Sequence, residues 1–224
     1  MITLTRAQLA GMIDHTLLRP QATETDIREL CAEAVECRFR TVSVNPAWVT
    51  FCVKALQGSR VGVDACVGFP LGANTARMKV EEAREAAQNG ASELDMVINI
   101  GALKSGYPSF VEREIAAVVN AVRGIPVKVI LETSYLNRDE KILVCEMAMQ
   151  AGAAFVKTAT GYGAGGATTE DVALMKSVVE GRLGVKAAGG IRTYGDAQAM
   201  VEAGATVLGT SAGLQILADA PESA

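Results

Sequence analysis

Strand-like and helix-like patterns of hydrophobic residues alternate along almost the whole chain. Short apolar runs rich in β-branched residues fall at 41–45 (TVSVN), 61–67 (VGVDACV), 93–100 (ELDMVINI), 127–132 (VKVILE), 155–159 (FVKTA), 185–188 (VKAA) and 206–210 (TVLGT). Between them, patterns of helical period run around 23–38, 46–57, 75–89, 108–122, 138–150, 169–181 and 193–203. Ile13–His15, after a first amphipathic helix, reads as an eighth strand. Thr5 with Gln8, and Asn137 with Glu140, have the spacing of capping boxes at helix starts.

A short repeat supports this alternation. NGASEL (89–94), AGAAFV (151–156) and AGATVL (203–208) each place Gly-Ala between a helical pattern and an apolar run. The glycine suits a left-handed helix end, and the short connection feeds the next parallel strand. With no composition break or long linker, residues 1–224 are expected to form a single domain around one parallel sheet.

Side-chain alternation separates the two ways of building such a sheet. In 93–100, Leu94, Met96 and Ile98 are apolar while Glu93, Asp95 and Asn99 share the other face. In 127–132, Val127, Val129 and Leu131 oppose Lys128, Ile130 and Glu132; in 41–45, Val42 and Val44 oppose Thr41, Ser43 and Asn45. An open sheet covered by helices on both faces reads instead as continuous apolar runs. A closed barrel gathers the polar faces around its axis. The expected architecture is an α/β fold, a single-domain (β/α)8 TIM barrel with an extra N-terminal helix.

Composition narrows the partners. The chain has 224 residues, 50% hydrophobic and only 4% aromatic, so its core is aliphatic. A net charge of −4, with no basic stretch alternating with aromatics, argues against nucleic acid and anionic membranes. No segment approaches membrane-spanning length, and no basic, then apolar, leader opens the chain; a cytoplasmic location is expected. The cysteines, Cys31, Cys37, Cys52, Cys66 and Cys145, form no CxxC pair and read as reduced apolar residues. With His15 the one histidine, neither a metal site nor another cofactor is expected.

The candidate chemistry lies in two lysines, Lys157 in AAFVKTATG and Lys186 in LGVKAAGG, each next to the end of an apolar run. Burying a lysine is costly, and two close together repel. A like charge about 5 Å away, the spacing of adjacent strands, costs roughly 3 kcal/mol at an effective dielectric near 20. That favours an uncharged, nucleophilic amine at one of the two, although the sequence does not say which. Lys128 opens its strand and reads as a structural ion. Asp95 is the natural carboxylate partner for Lys186, as relay or salt bridge; Asp14, Ser43 and Glu132 are weaker candidates for the same interior. AAGGIRT (187–193) and LGTSAG (208–213) follow the last two strands, where barrels of this kind hold phosphate against backbone N–H groups and a helix N-terminus. GYGAGG (161–166) is a poor dinucleotide fingerprint and reads as a loop over the site.

IDHTLL (13–18), ELDMVINIGAL (93–103), VILETSYL (129–136), FVKTATGYG (155–163), VKAAGGIRT (185–193) and LGTSAG (208–213) together resemble the deoxyribose-phosphate aldolase family. The resemblance implies a class I, Schiff-base barrel that reversibly cleaves 2-deoxy-D-ribose 5-phosphate into acetaldehyde and D-glyceraldehyde 3-phosphate. It implies Lys157 as the imine-forming lysine, Lys186 as the lysine that perturbs it, and Asp95 as the acid/base. Thr160, Gly161, Gly189, Gly190, Gly209 and Ser211 match the phosphate-binding positions, and Asp14 and Thr16 are candidates for the proton relay. A homodimer or homotetramer is expected, since barrels of this kind often pair.

The chain departs from the pattern at three places. Ser43 stands where some members carry cysteine, and Tyr162 where some carry lysine, which implies a phosphate site with less positive charge. The tail ADAPESA lacks the tyrosine with which some members reach the site. Two other readings compete: a barrel isomerase or epimerase that uses carboxylates on a sugar phosphate, and a non-catalytic sugar-phosphate-binding barrel.

Overall fold

The computed structural model describes residues 2–222. Eight parallel strands close into a barrel in chain order, with β1 paired to β8. They are β1 (Ile13–Leu17), β2 (Thr41–Val44), β3 (Gly62–Val67), β4 (Glu93–Val97), β5 (Val127–Ile130), β6 (Phe155–Lys157), β7 (Gly184–Ala188) and β8 (Val207–Thr210). A short helix, α1 (Arg6–Ala10), precedes β1. The outer ring is α2 (Glu24–Cys37), α3 (Val49–Ala55), α4 (Ala76–Gln88), α5 (Ile100–Lys104), α6 (Pro108–Ala121), α7 (Arg138–Gln150), α8 (Thr169–Val179), α9 (Tyr194–Glu202) and α10 (Gly213–Ala218).

Local chemistry sets these boundaries. Both expected capping boxes form, and Thr23 with Asp26 and Thr193 with Asp196 add two more. Each cap satisfies N–H groups that the first helical turn leaves without partners. The repeat glycines Gly90, Gly152 and Gly204 have φ of 99°, 78° and 115°, values that L side chains resist. At Gly204 a Cβ would also lie 2.6 Å from Lys176 Cγ, so glycine lets the chain turn tightly from α9 into β8.

Alternation decides which residues meet. Val42, Val44, Leu94, Met96, Val129, Val156 and Val185 are wholly buried beneath the helices. Burying such side chains contributes about 1.5–3 kcal/mol each. The opposite face turns Asp14, Ser43, Asp64, Asp95, Lys128, Lys157 and Lys186 toward the axis, where their side chains meet one another.

Several strands end earlier than the sequence patterns suggest. The run 93–100 leaves the sheet after Val97, because Asn99 Oδ1 accepts from Ala102 N at 2.9 Å and so caps α5. Asn99 therefore does not join the interior polar face. The run 127–132 ends at Ile130, and Glu132 adopts φ 51° as the chain turns over the mouth. Lys186 sits mid-strand in β7 rather than next to its end, while Lys157 is the last residue of β6. Their equivalent height holds: the two are register partners.

Candidate active site

A cavity of about 550 Å3 opens at the C-terminal end of the barrel. Lys157 is the one lysine among the described residues that line it. Thr158 fixes the strand behind it, donating through Oγ1 to Ala188 O and accepting from Ala188 N, each at 3.0 Å. Lys186 and Asp95 lie beneath the cavity floor, fully buried. The fold thus separates the two lysines by access, a distinction that strand patterns do not carry.

One carboxylate oxygen joins them. Asp95 Oδ2 is 2.6 Å from Lys157 Nζ and 2.7 Å from Lys186 Nζ. Simple repulsion between two ammonium groups therefore describes this site incompletely, since a negative charge lies between them. Lys186 also contacts Asp14 Oδ2 at 2.6 Å and Asp64 Oδ2 at 3.0 Å. Burial disfavours its charge, but Asp14, Asp64 and Asp95 outweigh that and raise its pKa well above the usual value.

A second layer lies deeper. Lys128 contacts Glu93 at 2.7 Å, Asp64 at 2.9 Å and Asp95 at 3.1 Å, the structural ion pairing expected at the opening of its strand. Arg40 reaches Asp14 at 2.9 Å and also pairs with Glu93. Burial pushes Asp14 and Asp95 upward, yet the surrounding cations win and hold both below the usual carboxylate range. For Asp14 those cations are Lys186, Lys128 and Arg40; for Asp95 they are the three lysines. Asp64 moves the other way, raised by burial and by Asp95 against the pull of Lys128 and Lys186.

Thr16, Thr160, Gly161, Gly189, Gly190, Gly209 and Ser211 all line the cavity. Gly209 also makes room below, since a Cβ there would lie 3.0 Å from Lys186 Cε. Asp196 Oδ2 accepts from the N–H groups of Arg192 and Thr193, so the start of α9 is capped from within. Gly189, Gly190, Gly209 and Ser211 line the cavity there, beside Arg192. Thr16 donates to its neighbour's carbonyl, Asp14 O, at 2.9 Å, whereas Asp14 reaches Lys186. Glu132 stands apart from the charged interior: Oε2 accepts from Thr160 N and Oγ1 and so ties down the loop after β6.

A model of the DeoC/LacD family of aldolases matches residues 9–219. The chain belongs to that family. Deoxyribose-phosphate aldolase from Caldanaerobacter subterraneus subsp. tengcongensis is 55% identical over 212 residues, spanning 93% of this chain and 92% of that protein. The enzyme of that name from Streptococcus sanguinis is 55% identical over 210 residues, spanning 94% and 96%. A solved deoxyribose phosphate aldolase from Aeropyrum pernix, described as a tetramer, superposes with a TM-score of 0.90 at 35% identity, covering 96% of this chain and 91% of that one.

Within this DeoC/LacD barrel, sequence reasoning passed over several groups. Asp64, a single acid inside the run VGVDACV, bonds Ser43 Oγ at 2.7 Å and both deep lysines. Arg19 and Arg192 line the cavity mouth and supply positive charge where Tyr162 supplies none. Tyr162 instead packs edge-on against Phe69, with ring centroids 5.6 Å apart. His15 lines the cavity too, and its Nε2 meets Glu33 Oε2 at 2.7 Å.

Proposed function

We propose that this chain is a class I aldolase that cleaves 2-deoxy-D-ribose 5-phosphate to acetaldehyde and D-glyceraldehyde 3-phosphate in cytoplasmic deoxyribonucleoside breakdown. The observation that carries the reading is Lys157 at the cavity floor, backed by Asp95 and Lys186. The amine of Lys157 adds to the sugar aldehyde, and loss of water leaves an iminium that withdraws electrons from the adjacent carbon. The next carbon–carbon bond then breaks as the hydroxyl proton of the acceptor carbon is removed, leaving an enamine on Lys157. Protonation of the enamine and hydrolysis release acetaldehyde.

Asp95 shares its proton network with both amines, which suits it to move protons at each of these steps. Lys186 stays cationic and keeps Asp95 ionised and in place. Gly189, Gly190, Gly209 and Ser211, with Thr160 and Gly161 across the mouth, take the phosphate, and Arg19 and Arg192 add charge at the rim. Asp14 acts through Lys186, and Thr16 stays at the edge of the network. No cofactor enters the scheme. No helix among the described residues is long and apolar enough to cross a membrane. The tetrameric relative from Aeropyrum pernix supports a homo-oligomer here, as dimer or tetramer, which light scattering would measure.

The deciding experiment is borohydride reduction in the presence of acetaldehyde, followed by peptide mass analysis. A reduced two-carbon adduct on Lys157 is the expected result. Turnover without any adduct would favour the isomerase reading, and neither turnover nor adduct a binding protein.

A further inference from the structure

The charges around the barrel axis balance in one protonation state and fail to balance in the state that catalysis needs. β1 contributes Asp14, β3 Asp64, β4 Glu93 and Asp95, β5 Lys128, β6 Lys157 and β7 Lys186, with Arg40 just before β2. Among the described residues, the other groups that face them are uncharged, among them the hydroxyls of Thr41 and Ser43 on β2, the thiol of Cys66 on β3, the ring of Phe155 on β6, and Gly209 on β8. With Lys157 as an ammonium, four cations meet four carboxylates. With Lys157 as the free amine, one negative charge is in excess among buried groups, which is strongly unfavourable.

We propose that Asp64 is the proton store of the reaction, protonated while Lys157 is a free amine and ionised once the iminium forms. The inference rests on the aldolase reading and adds a residue to it. Asp64 touches no substrate, so it is a positioning residue that acts through Lys186 and Asp95.

The geometry provides both a place for the proton and a route. Asp64 Oδ2 lies 2.7 Å from Ser43 Oγ, which can accept from a protonated carboxyl as readily as it donates to an ionised one. Lys157 Nζ meets Asp95 Oδ2 at 2.6 Å, Asp95 Oδ2 meets Lys186 Nζ at 2.7 Å, and Lys186 Nζ meets Asp64 Oδ2 at 3.0 Å. Of the three interior aspartates, Asp64 alone is shifted toward the protonated form, by burial and by Asp95; Asp14 and Asp95 are shifted away from it.

The steps balance. The Lys157 ammonium loses a proton to Asp95, while Lys186 passes one of its own to Asp64 and takes the one on Asp95. One N–H bond at Lys157 is exchanged for one O–H bond at Asp64, and no proton reaches solvent. The free protein rests in this exchanged form, with the Lys157 amine opposite a protonated Asp64. After the amine adds to the aldehyde, the same proton returns to the departing hydroxyl. The C–O bond breaks, water leaves, C=N forms with its positive charge on nitrogen, and Asp64 is again an anion. The interior is neutral before and after.

Infrared difference spectroscopy on the full-length protein, with 13C-labelled aspartate carboxyls, tests this. Wild type at neutral pH should show the carbonyl band of a protonated carboxyl, which disappears when acetaldehyde is added and the imine accumulates. Asp64→Asn should lack that band. Ser43→Ala should keep the band at a shifted frequency, having lost its hydrogen-bond partner, and gives a reading even if Asp64→Asn does not fold. Asp64→Asn should still give the borohydride adduct at Lys157, with kcat lower by about a hundredfold. A wild-type spectrum without the band, a band that survives Asp64→Asn or ignores acetaldehyde, or an unchanged kcat in Asp64→Asn would each overturn the proposal. If wild type gave no adduct at Lys157, the aldolase reading itself would fall; an adduct without the band would remove the proton store alone.

Discussion

Lys157 and Lys186 are register partners on β6 and β7 and share one oxygen of Asp95, yet Lys157 lines the cavity and Lys186 lies buried beneath it. Equivalent positions in adjacent strands thus differ in access, because the cavity reaches one and not the other. Lys157→Arg keeps a positive charge beside Asp95 but removes the primary amine needed for an imine. Turnover should fall by roughly a thousandfold or more, and no borohydride adduct should form. A Lys157→Arg variant cleaving substrate at the wild-type rate, in a coupled assay for the triose phosphate, would refute the imine.

Removing Lys186 has a different consequence. Its ammonium lies within 3.0 Å of Asp14, Asp64 and Asp95, none exposed to water. Lys186→Met leaves those carboxylates short of a cation, and breaking a buried pair costs about 3–5 kcal/mol. For a chain of this size that lowers Tm by roughly 6–20 °C. Lys157→Met, at the cavity floor with a single acidic partner, should cost clearly less in the same calorimetric scan; equal losses would contradict the layering.

The fold was legible because one physical constraint repeats: β1 to β7 put aliphatic residues under helices and polar ones toward the axis, while β8 offers Gly209 there. Lys157, Lys186 and Asp95 were legible for the same reason, as costly ions on the inward faces of apolar runs, although only Lys157 ends its strand and Lys186 and Asp95 lie mid-strand. Asp64 was not. Its run, VGVDACV, is apolar on both sides, and its partners lie 64 and 122 residues away in sequence. Nor could pattern reading foresee that Asp95 sits between the lysines or that Asp196 closes the start of α9. Those facts depend on side-chain reach across the barrel, whereas periodicity reports only which face a residue takes.

Ser43 puts a hydroxyl where a thiol would face the charged interior, bonded to Asp64 at 2.7 Å. The nearby Cys66 is wholly buried, and burial pushes its thiol up, so little thiolate forms to attack reactive aldehydes. Position 43 is just as buried, lies off the cavity lining and adjoins the Asp64 carboxylate, so a cysteine there stays a thiol. Ser43→Cys should therefore lose activity in concentrated acetaldehyde no faster than wild type. Faster loss, followed by residual activity over hours, would contradict this.

At the cavity mouth, Tyr162 is half exposed and rests against Phe69. A cation there would join Arg19 and Arg192 on the rim. Tyr162→Lys should improve kcat/KM for the phosphorylated sugar over 2-deoxyribose by about fivefold, the worth of roughly 1 kcal/mol for an exposed charge pair. Raising the salt concentration should shrink the gain. A ratio unchanged at low salt would place the phosphate out of reach of position 162.

The interior charges also fix how stability depends on pH. Asp14 and Asp95 have folded pKa values below that of an unfolded carboxyl, so their contribution is complete above about pH 4 and is lost as pH falls toward the folded values. Lys128 and Lys186 are raised, because Asp64 and Asp95, with Asp14 beside Lys186, outweigh the burial that opposes their charge. Their contribution is complete below about pH 10 and is lost as pH rises through the folded values. Asp64, raised instead, costs stability where it is ionised and relieves that cost on acidification. Asp14→Asn isolates one of these contributions, since a protonated Asp14 and an asparagine are alike in charge. Wild type should exceed Asp14→Asn in urea stability by about 3 kcal/mol at pH 7, and the gap should narrow steadily below about pH 4. Urea midpoints at pH 7, 5 and 3 measure it. A gap as wide at pH 3 as at pH 7 would mean that the charge on Asp14 does not hold Lys186 and Arg40 in place.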